Sequence, residues 1–296
     1  MAHDRRRLAG ELGRIGIWTV ALRGTDPATR RDVAEAAAEL DRLGYGTVWL
    51  GGSPSVADAE PLLAATSRIT VATGILSIWE HPAADVATAY AAAAAAHRDR
   101  FLLGLGVSHR ALTGDRYERP YSAMRRYLTE LDEAPTPVPA GRRVLAALGP
   151  RMLELARDRA GGAHPYLVTA EHTALARELL GADAVLAPEL KVVLDEDPAR
   201  ARTTARGYLD GYLQLPNYTN NLRRLGFTDD DFPGGGSDRL LDAVFALGDA
   251  EAVRRKVADF VDAGADHVAL QVVTDDPRHA LPLPAWRALA EALPLR

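Results

Sequence analysis

The sequence predicts an α/β fold, a single (β/α)8 barrel. Two observations predict it. Eight short, mostly apolar runs recur along the chain, and helical segments with recognisable start and stop signals separate them. Strands of a parallel sheet covered by helices read as near-continuous apolar runs, and eight is the number that closes a barrel. An open doubly wound sheet built from the same elements is the structural alternative. The 296 residues accommodate one such barrel of roughly 250 residues or two smaller domains, so length does not decide between them.

The elements follow in order. Residues 13–18 form the first β-like run. Asp26-Pro27 then supplies an N-cap residue and a proline at the first helical position, where its missing N–H costs nothing. Val33, Ala37, Leu40 and Leu43 recur at helical spacing, and Gly44 ends that helix. Residues 47–50 form strand two, residues 57–67 a helix, and residues 69–76 strand three, rich in β-branched side chains. Pro82 opens an alanine-rich helix. Strand four spans residues 101–106. Residues 120–131 form a helix, and a turn-rich connector at 135–141 leads to strand five at 143–147. Residues 150–160 are helical, residues 163–168 form strand six, and Thr169 caps a helix reaching Leu180. Strand seven occupies 189–194. Asp197-Pro198 repeats the cap signal before a helix to about Tyr212. Strand eight spans 267–273, and Pro284 opens the last helix.

Residues 13–296 are read as the barrel domain and residues 1–12, with Arg5, Arg6 and Arg7, as a disordered, solvated tail. The alternation breaks at 214–248. This stretch holds Pro216-Asn217-Tyr218-Thr219-Asn220-Asn221, an acidic run at Asp229, Asp230 and Asp231, and Gly234-Gly235-Gly236. Tyr218, Leu222, Leu225 and Phe227 make it too apolar for a floppy excursion. It reads as a lid over the barrel mouth with a short helix near 238–247.

Composition narrows the function. A net charge of −5 offers no basic surface for nucleic acid. The absence of cysteine excludes thiolate metal sites, iron–sulfur clusters and a cysteine nucleophile, and suits a reducing cytoplasm. No apolar leader occurs in the first residues, and the alanine-rich helix is too short and too polar to span a bilayer. Neither a membrane nor a nucleic-acid partner is expected.

Motif tests are mostly negative. Gly104-Leu105-Gly106-Val107-Ser108-His109 begins like a dinucleotide fingerprint, but His109 replaces the third glycine. There is no phosphate-binding G-x-x-x-x-G-K-[ST] loop and no G-x-S-x-G nucleophile elbow. The eight histidines show no metal-binding spacing, so no metal is assigned.

Position on the barrel is more informative, because active sites of such barrels lie at the C-terminal ends of the strands. The residues there are Trp18 and Thr19; Gly51 and Gly52; Gly74, Ile75, Leu76 and Ser77, with Trp79; Val107, Ser108 and His109; Leu148, Gly149, Pro150 and Arg151; and Tyr166. The set is poor in carboxylates and lysine. Lys191 lies mid-strand and Lys256 in a late helix, which argues against a Schiff-base or metal-dependent lyase. A glycine-rich, apolar and aromatic mouth suits a flat ring that carries the chemistry as a cofactor. Gly149-Pro150-Arg151, a glycine N-cap followed by a cation, could hold a phosphate. His109 is the candidate for proton transfer.

The runs Thr47-Val48-Trp49-Leu50-Gly51-Gly52, Val71-Ala72-Thr73-Gly74-Ile75-Leu76 and Arg100-Phe101-Leu102-Leu103-Gly104-Leu105-Gly106-Val107-Ser108-His109 resemble the bacterial-luciferase-like flavin and deazaflavin oxidoreductases. Ala147-Leu148-Gly149-Pro150-Arg151 and Gly264-Ala265-Asp266-His267-Val268 add to this. The resemblance covers about 12–274, and residues 216–227 look most like the branch that uses the deazaflavin coenzyme F420. It implies a luciferase-like barrel, a homodimer and hydride transfer between F420 and an organic substrate. It also implies a non-prolyl cis peptide at Gly74-Ile75 backing the ring. The cofactor would then meet Gly51, Gly52, Thr73, Gly74, Ile75, Leu76, Ser77, Gly106, Val107, Ser108 and His109, with its phosphate near Gly149, Pro150 and Arg151. Trp18, Trp79 and Tyr218 would line the substrate side. The chain departs from some deazaflavin enzymes of this fold in having Gly51-Gly52 where they have Asp-His, and His109 where they have Glu. The substrate and the proton donor therefore stay open. Rival readings are an FMN-dependent monooxygenase of the same fold and a non-catalytic cofactor-binding relative.

Overall fold

The computed structural model describes residues 2–23, 29–274 and 281–295. Strands β1 to β11 are Ile15–Thr19, Thr47–Leu50, Thr70–Thr73, Leu76–Ser77, Phe101–Gly106, Arg143–Leu145, Gly162–Ala163, Val185–Leu186, Glu189–Leu194, Phe245–Gly248 and Val268–Val272. Helices α1 to α13 are Ala2–Leu12, Arg30–Leu43, Glu60–Ala65, Ala83–His97, Arg110–Thr113, Pro120–Asp132, Pro150–Arg159, Ala170–Leu180, Pro198–Leu213, Pro216–Arg224, Asp238–Val244, Ala250–Asp262 and Leu283–Ala292.

The strand ladders are all parallel. They run β10-β9-β11-β1-β2-β3-β5-β6-β7-β8, with β4 on β5. Only Ala187 and Pro188 separate β8 from β9 along the chain, so the path closes on itself. Backbone bonds carry the closure. The Ala187 and Glu189 N–H groups donate to the Ala163 and Pro165 carbonyls on one side, and the Ala269 N–H donates to the Pro188 carbonyl on the other. The result is an eight-stave barrel, and the open-sheet alternative falls away.

The capping chemistry matches the sequence. Gly44 ends α2 at φ +98°. The Thr169 hydroxyl accepts the His172 N–H at the start of α8, and the Asp197 carboxylate accepts the Ala199 and Arg200 N–H groups at the start of α9. The Asp26-Pro27 signal lies outside the described residues. Among the described residues no helix is long and apolar enough to cross a membrane.

Three expectations need correction. Residues 2–12 form a helix, not a solvated tail. Leu8 and Leu12, one helical turn apart, plug the N-terminal end of the barrel against Trp49, Ala72, Leu102 and Val144. Arg5 pairs with Asp266 at 2.5 Å, and the Leu12 carbonyl accepts the Thr47 hydroxyl at 2.8 Å. Burying a leucine is worth about 1.5–3 kcal/mol, enough to fasten a short amphipathic segment. Second, strand three is not continuous through 69–76. It breaks at a cis peptide between Gly74 and Ile75, and β4 resumes on β5 in the register Ser77 to Gly106. Third, the 214–248 stretch is mostly regular, with α10, α11 and β10, and α12 follows it before strand eight.

The insertion has its own core. Leu209, Leu213, Tyr218, Leu222, Phe227, Leu240 and Phe245 pack on Leu167, Val193 and Val273, which lie at or beyond the C-terminal ends of strands six, seven and eight. β10 extends the sheet alongside β9, Phe245 opposite Lys191, at the height where β7 has already ended.

Candidate functional site

The C-terminal mouth gathers most of the predicted positions, in two groups. In the first, Trp18 fills the space beside two of the glycines. A Cβ at Gly51 would overlap the indole, and one at Gly74 would lie 2.8 Å from its Nε1. That N–H donates to the Gly74 carbonyl at 3.0 Å, and Trp18 is 6% exposed. The flat ring against Gly51 and Gly74 is therefore the protein's own tryptophan. Gly52 serves a turn at φ +73°, its carbonyl taking a hydrogen bond from Arg23.

The second group surrounds the cis junction. Gly106 lacks a Cβ where Ile75 lies, since one would come within 2.6 Å of Ile75 Cγ1 and 3.3 Å of the Ala146 methyl. Ile75, Val107, Ser108, His109, Ala146, Leu148 and Gly149 are all part-exposed and lie at the ends of strands three, four and five. Thr73, Leu76 and Ser77 lie beneath them, fully buried. The Thr73 hydroxyl donates to the Gly104 carbonyl and accepts the Gly104 N–H, which pins strand three to strand four just before the bulge. Trp79 closes one edge, its indole N–H donating to the Val107 carbonyl at 2.6 Å.

His109 stands at the start of α5 with its ring 4.9 Å from that of Tyr218 on α10. Its Nδ1 is buried without a partner. Desolvation lowers its pKa below the ordinary 6.5, so it is neutral at pH 7. The insertion touches the same loop through Asn217, whose amide donates to the Ser108 carbonyl and to the Tyr117 hydroxyl.

Gly149 caps α7 without a side-chain hydrogen bond, Pro150 brings no N–H, and the Met152 and Leu153 N–H groups donate to the Gly149 carbonyl, so Arg151 supplies the remaining first-turn amide. The Arg151 guanidinium sits 4.1 Å above the Tyr121 ring. A different cation approaches the cap: Arg224, at the end of α10, places a guanidinium nitrogen 3.5 Å from where a Gly149 Cβ would stand. Sequence reading did not single out Arg224, because only folding carries α10 back to α7.

It also passed over the interior beneath the mouth. The Lys191 ammonium and the Glu189 carboxylate are both fully buried and 2.7 Å apart, with Lys191 3.8 Å from the centre of the Tyr166 ring. Desolvation raises the carboxyl pKa and lowers the amine pKa, while each partner opposes the shift in the other. We read the group as an ion pair, because the geometry supplies a direct charge-assisted bond. The Tyr166 hydroxyl meets the hydroxyls of Tyr208 at 2.7 Å and Tyr212 at 3.0 Å, and Gln271 Oε1 at 2.8 Å. A signal for this network existed: polar residues at alternate positions 189 and 191 of one strand share its inward face.

A cavity of about 420 Å³ opens at the other end, lined by Ala9, Glu11, Arg14, Asp41, Tyr45 and Arg68. It lies at the face where barrels invest in stability rather than chemistry.

Fold and site together define a parallel eight-stave barrel with an apolar, aromatic mouth built around a cis-peptide bulge. Residues 14–134, from β1 through α6, match the sequence model of the luciferase-like monooxygenase family. Comparison with curated proteins gives no match. Among solved structures, the chain is similar to the coenzyme F420-dependent tetrahydromethanopterin reductase from Methanopyrus kandleri, with a TM-score of 0.72 and 15% identity over 95% of this chain and 98% of that one. It is similar to an F420-dependent secondary alcohol dehydrogenase at 0.68 and 15%, covering 96% and 98%. It is also similar to an FMN-bound 3,6-diketocamphane monooxygenase component from Pseudomonas putida, at 0.68 and 13% over 96% and 98%.

Proposed function

We propose that the protein is an oxidoreductase that binds the deazaflavin coenzyme F420 in the cleft beside Ile75 and transfers hydride to or from an organic substrate. The observation that carries this reading is the match of residues 14–134 to the luciferase-like family model, the segment in which part-exposed Ile75 is set against Gly106 at the barrel mouth. The residues suit such a group. Ile75, Ala146 and Leu148 offer an apolar face to a flat ring. The Arg151 N–H at the start of α7 and the Arg224 guanidinium offer positive potential to a phosphate. Val107, Ser108 and His109 flank the ring, and Thr73, Leu76 and Ser77 shape the bulge from below. When bound, the deazaflavin supplies the carbon that accepts or donates hydride.

The chain's own part is to hold and shield. Tyr218 and Trp79 wall the substrate side, and Trp18 forms a fixed floor. The insertion core keeps water from the ring. His109, neutral and with an unpartnered Nδ1, is placed to accept a proton near the cleft.

The deazaflavin is preferred to FMN because residues 216–227, which build α10 and the Arg224 approach, are the stretch most like the F420-using branch. Parallel titrations with F420 and FMN test the reading. F420 binding with weak FMN binding is expected. A preference for FMN moves the assignment to a monooxygenase, and binding of neither defeats it.

A further inference from the structure

One side of α10 is turned toward the ends of strands four and five. Asn217, Asn221 and Arg224 recur at i, i+4 and i+7, which sets them along that side of the helix. The two outer members show where it points. The Asn217 amide donates to the Ser108 carbonyl, just beyond strand four, and to the Tyr117 hydroxyl. An Arg224 guanidinium nitrogen lies 3.5 Å from where a Gly149 Cβ would stand, just beyond strand five. Asn221 stands between them, about 6 Å along the helix axis from Asn217 and about 4.5 Å from Arg224.

Asn221 differs from both in having no bond of its own. It is 3% exposed, and its Nδ2 is buried without a hydrogen-bond partner. Its helix neighbours Tyr218 and Leu222 pack into the insertion core, so the position is held from behind. A buried amide left unbonded destabilises a fold, and an apolar side chain of the same shape would avoid that loss. Strands four and five are adjacent in the sheet, and Ile75, Gly106 and Ala146 come together at their ends. The amide therefore sits over the ground where the ring was assigned, on the way to Arg224.

We propose that Asn221 is a specificity-determining residue that bonds a hydroxyl of the chain linking the cofactor's ring to its phosphate. The proposal rests on the oxidoreductase reading, which puts the ring beside Ile75 and His109 and the phosphate at Arg224. Tyr218, its ring 4.9 Å from that of His109, marks the ring end, Arg224 marks the phosphate end, and Asn221 faces what joins them. In flavins and deazaflavins the link is a ribityl polyol. A hydroxyl suits the amide in either orientation, since it accepts from Nδ2 and donates to Oδ1. A purely alkyl link leaves the amide unbonded. Tyr218, Asn221 and Arg224, each three residues from the next, then read ring, polyol and phosphate in turn.

The test is a fluorescence titration of the full chain with deazariboflavin and deazalumiflavin, which share a ring and differ in carrying ribityl or methyl on it. Deazariboflavin is expected to bind about tenfold more tightly to the unaltered protein. Asn221→Leu and Asn221→Ala should each cut that advantage about fivefold and leave deazalumiflavin within about twofold. Without ligand, Asn221→Leu should unfold in urea no earlier than the unaltered protein, because it removes an unbonded buried amide. Near-UV circular dichroism identifies a variant that has lost its fold, and the other variant then carries the comparison. Equal binding of the two probes to the unaltered protein overturns the proposal, as does failure of both to bind. So does a ribityl advantage that survives in a folded variant, or a loss of stability that weakens both probes alike. F420 titrated into the same proteins keeps the two readings apart: tight binding that the Asn221 variants share defeats this proposal alone, and binding of neither F420 nor FMN to the unaltered protein defeats the oxidoreductase reading with it.

Discussion

The Trp49 indole lies flat on the His164 imidazole, the ring centroids 4.0 Å apart and the planes within 5°. On its edge, the Trp49 N–H donates to His267 Nε2 at 3.0 Å. His267 must therefore carry its proton on Nδ1, which donates to the Gly13 carbonyl at 2.8 Å. His164 likewise donates from Nδ1, to the Ala187 carbonyl at 2.6 Å. Both imidazoles are neutral because neither has room for a second donor's partner. Desolvation pulls His164 down to about 3 and His267 to about 4.

Stability should therefore fall with acid well before the carboxylates titrate. The unfolded histidines take up protons near pH 6.5 while the folded ones do not. Their contribution is complete above pH 6.5 and is lost as pH falls through about 4 and then 3. Urea unfolding from pH 7 to pH 4.5 should show stability decreasing by on the order of 1–3 kcal/mol per pH unit below pH 6. A flat profile over that range would show that the pair is not held neutral.

Lys191 and Glu189 should behave as an interdependent pair. Lys191→Met strands a buried carboxylate and is expected to cost about 3–5 kcal/mol. Combining it with Glu189→Leu should recover most of that loss, since two apolar side chains need no charge compensation. Chemical denaturation of the two single variants and the double variant gives the coupling. Additive losses would contradict the ion pair.

The N-terminal helix should be integral to the barrel. Leu12 is fully buried, and Leu12→Ala should destabilise by about 2–5 kcal/mol. A loss below 0.5 kcal/mol, the usual bound for surface changes, would mean that α1 does not seal the barrel in solution.

Arg224 separates phosphate recognition from ring recognition. On the proposed function, Arg224→Ala should weaken FMN or F420 binding about tenfold, yet leave riboflavin, which lacks the phosphate, unaffected. Equal weakening of FMN and riboflavin would place the effect on the ring and remove Arg224 from the phosphate site.

The barrel was legible because its determinants are local. Apolar runs, Gly44, Thr169 and Asp197 act within a turn or two of the chain, and the strand–helix rhythm repeats them. The luciferase-like resemblance also placed the cis junction at Gly74–Ile75 from a short contiguous run. The tail was misjudged because Leu8 and Leu12 are an unremarkable pair until Trp49 and Val144 form the surface they cover. The mouth glycines suggested an open berth, whereas Trp18, more than 30 residues earlier than Gly51, occupies part of it.

The sequence by itself determined the staves and their caps, because periodicity and turn chemistry depend on near neighbours. Only the tertiary structure decided which side chains meet inside. Tyr166, Tyr208, Tyr212 and Gln271 come from one strand end, one helix and a distant strand, and Arg224 reaches Gly149 across a fold. Hydrogen bonds and desolvation act over a few ångströms in space, and separation along the chain carries no record of that distance.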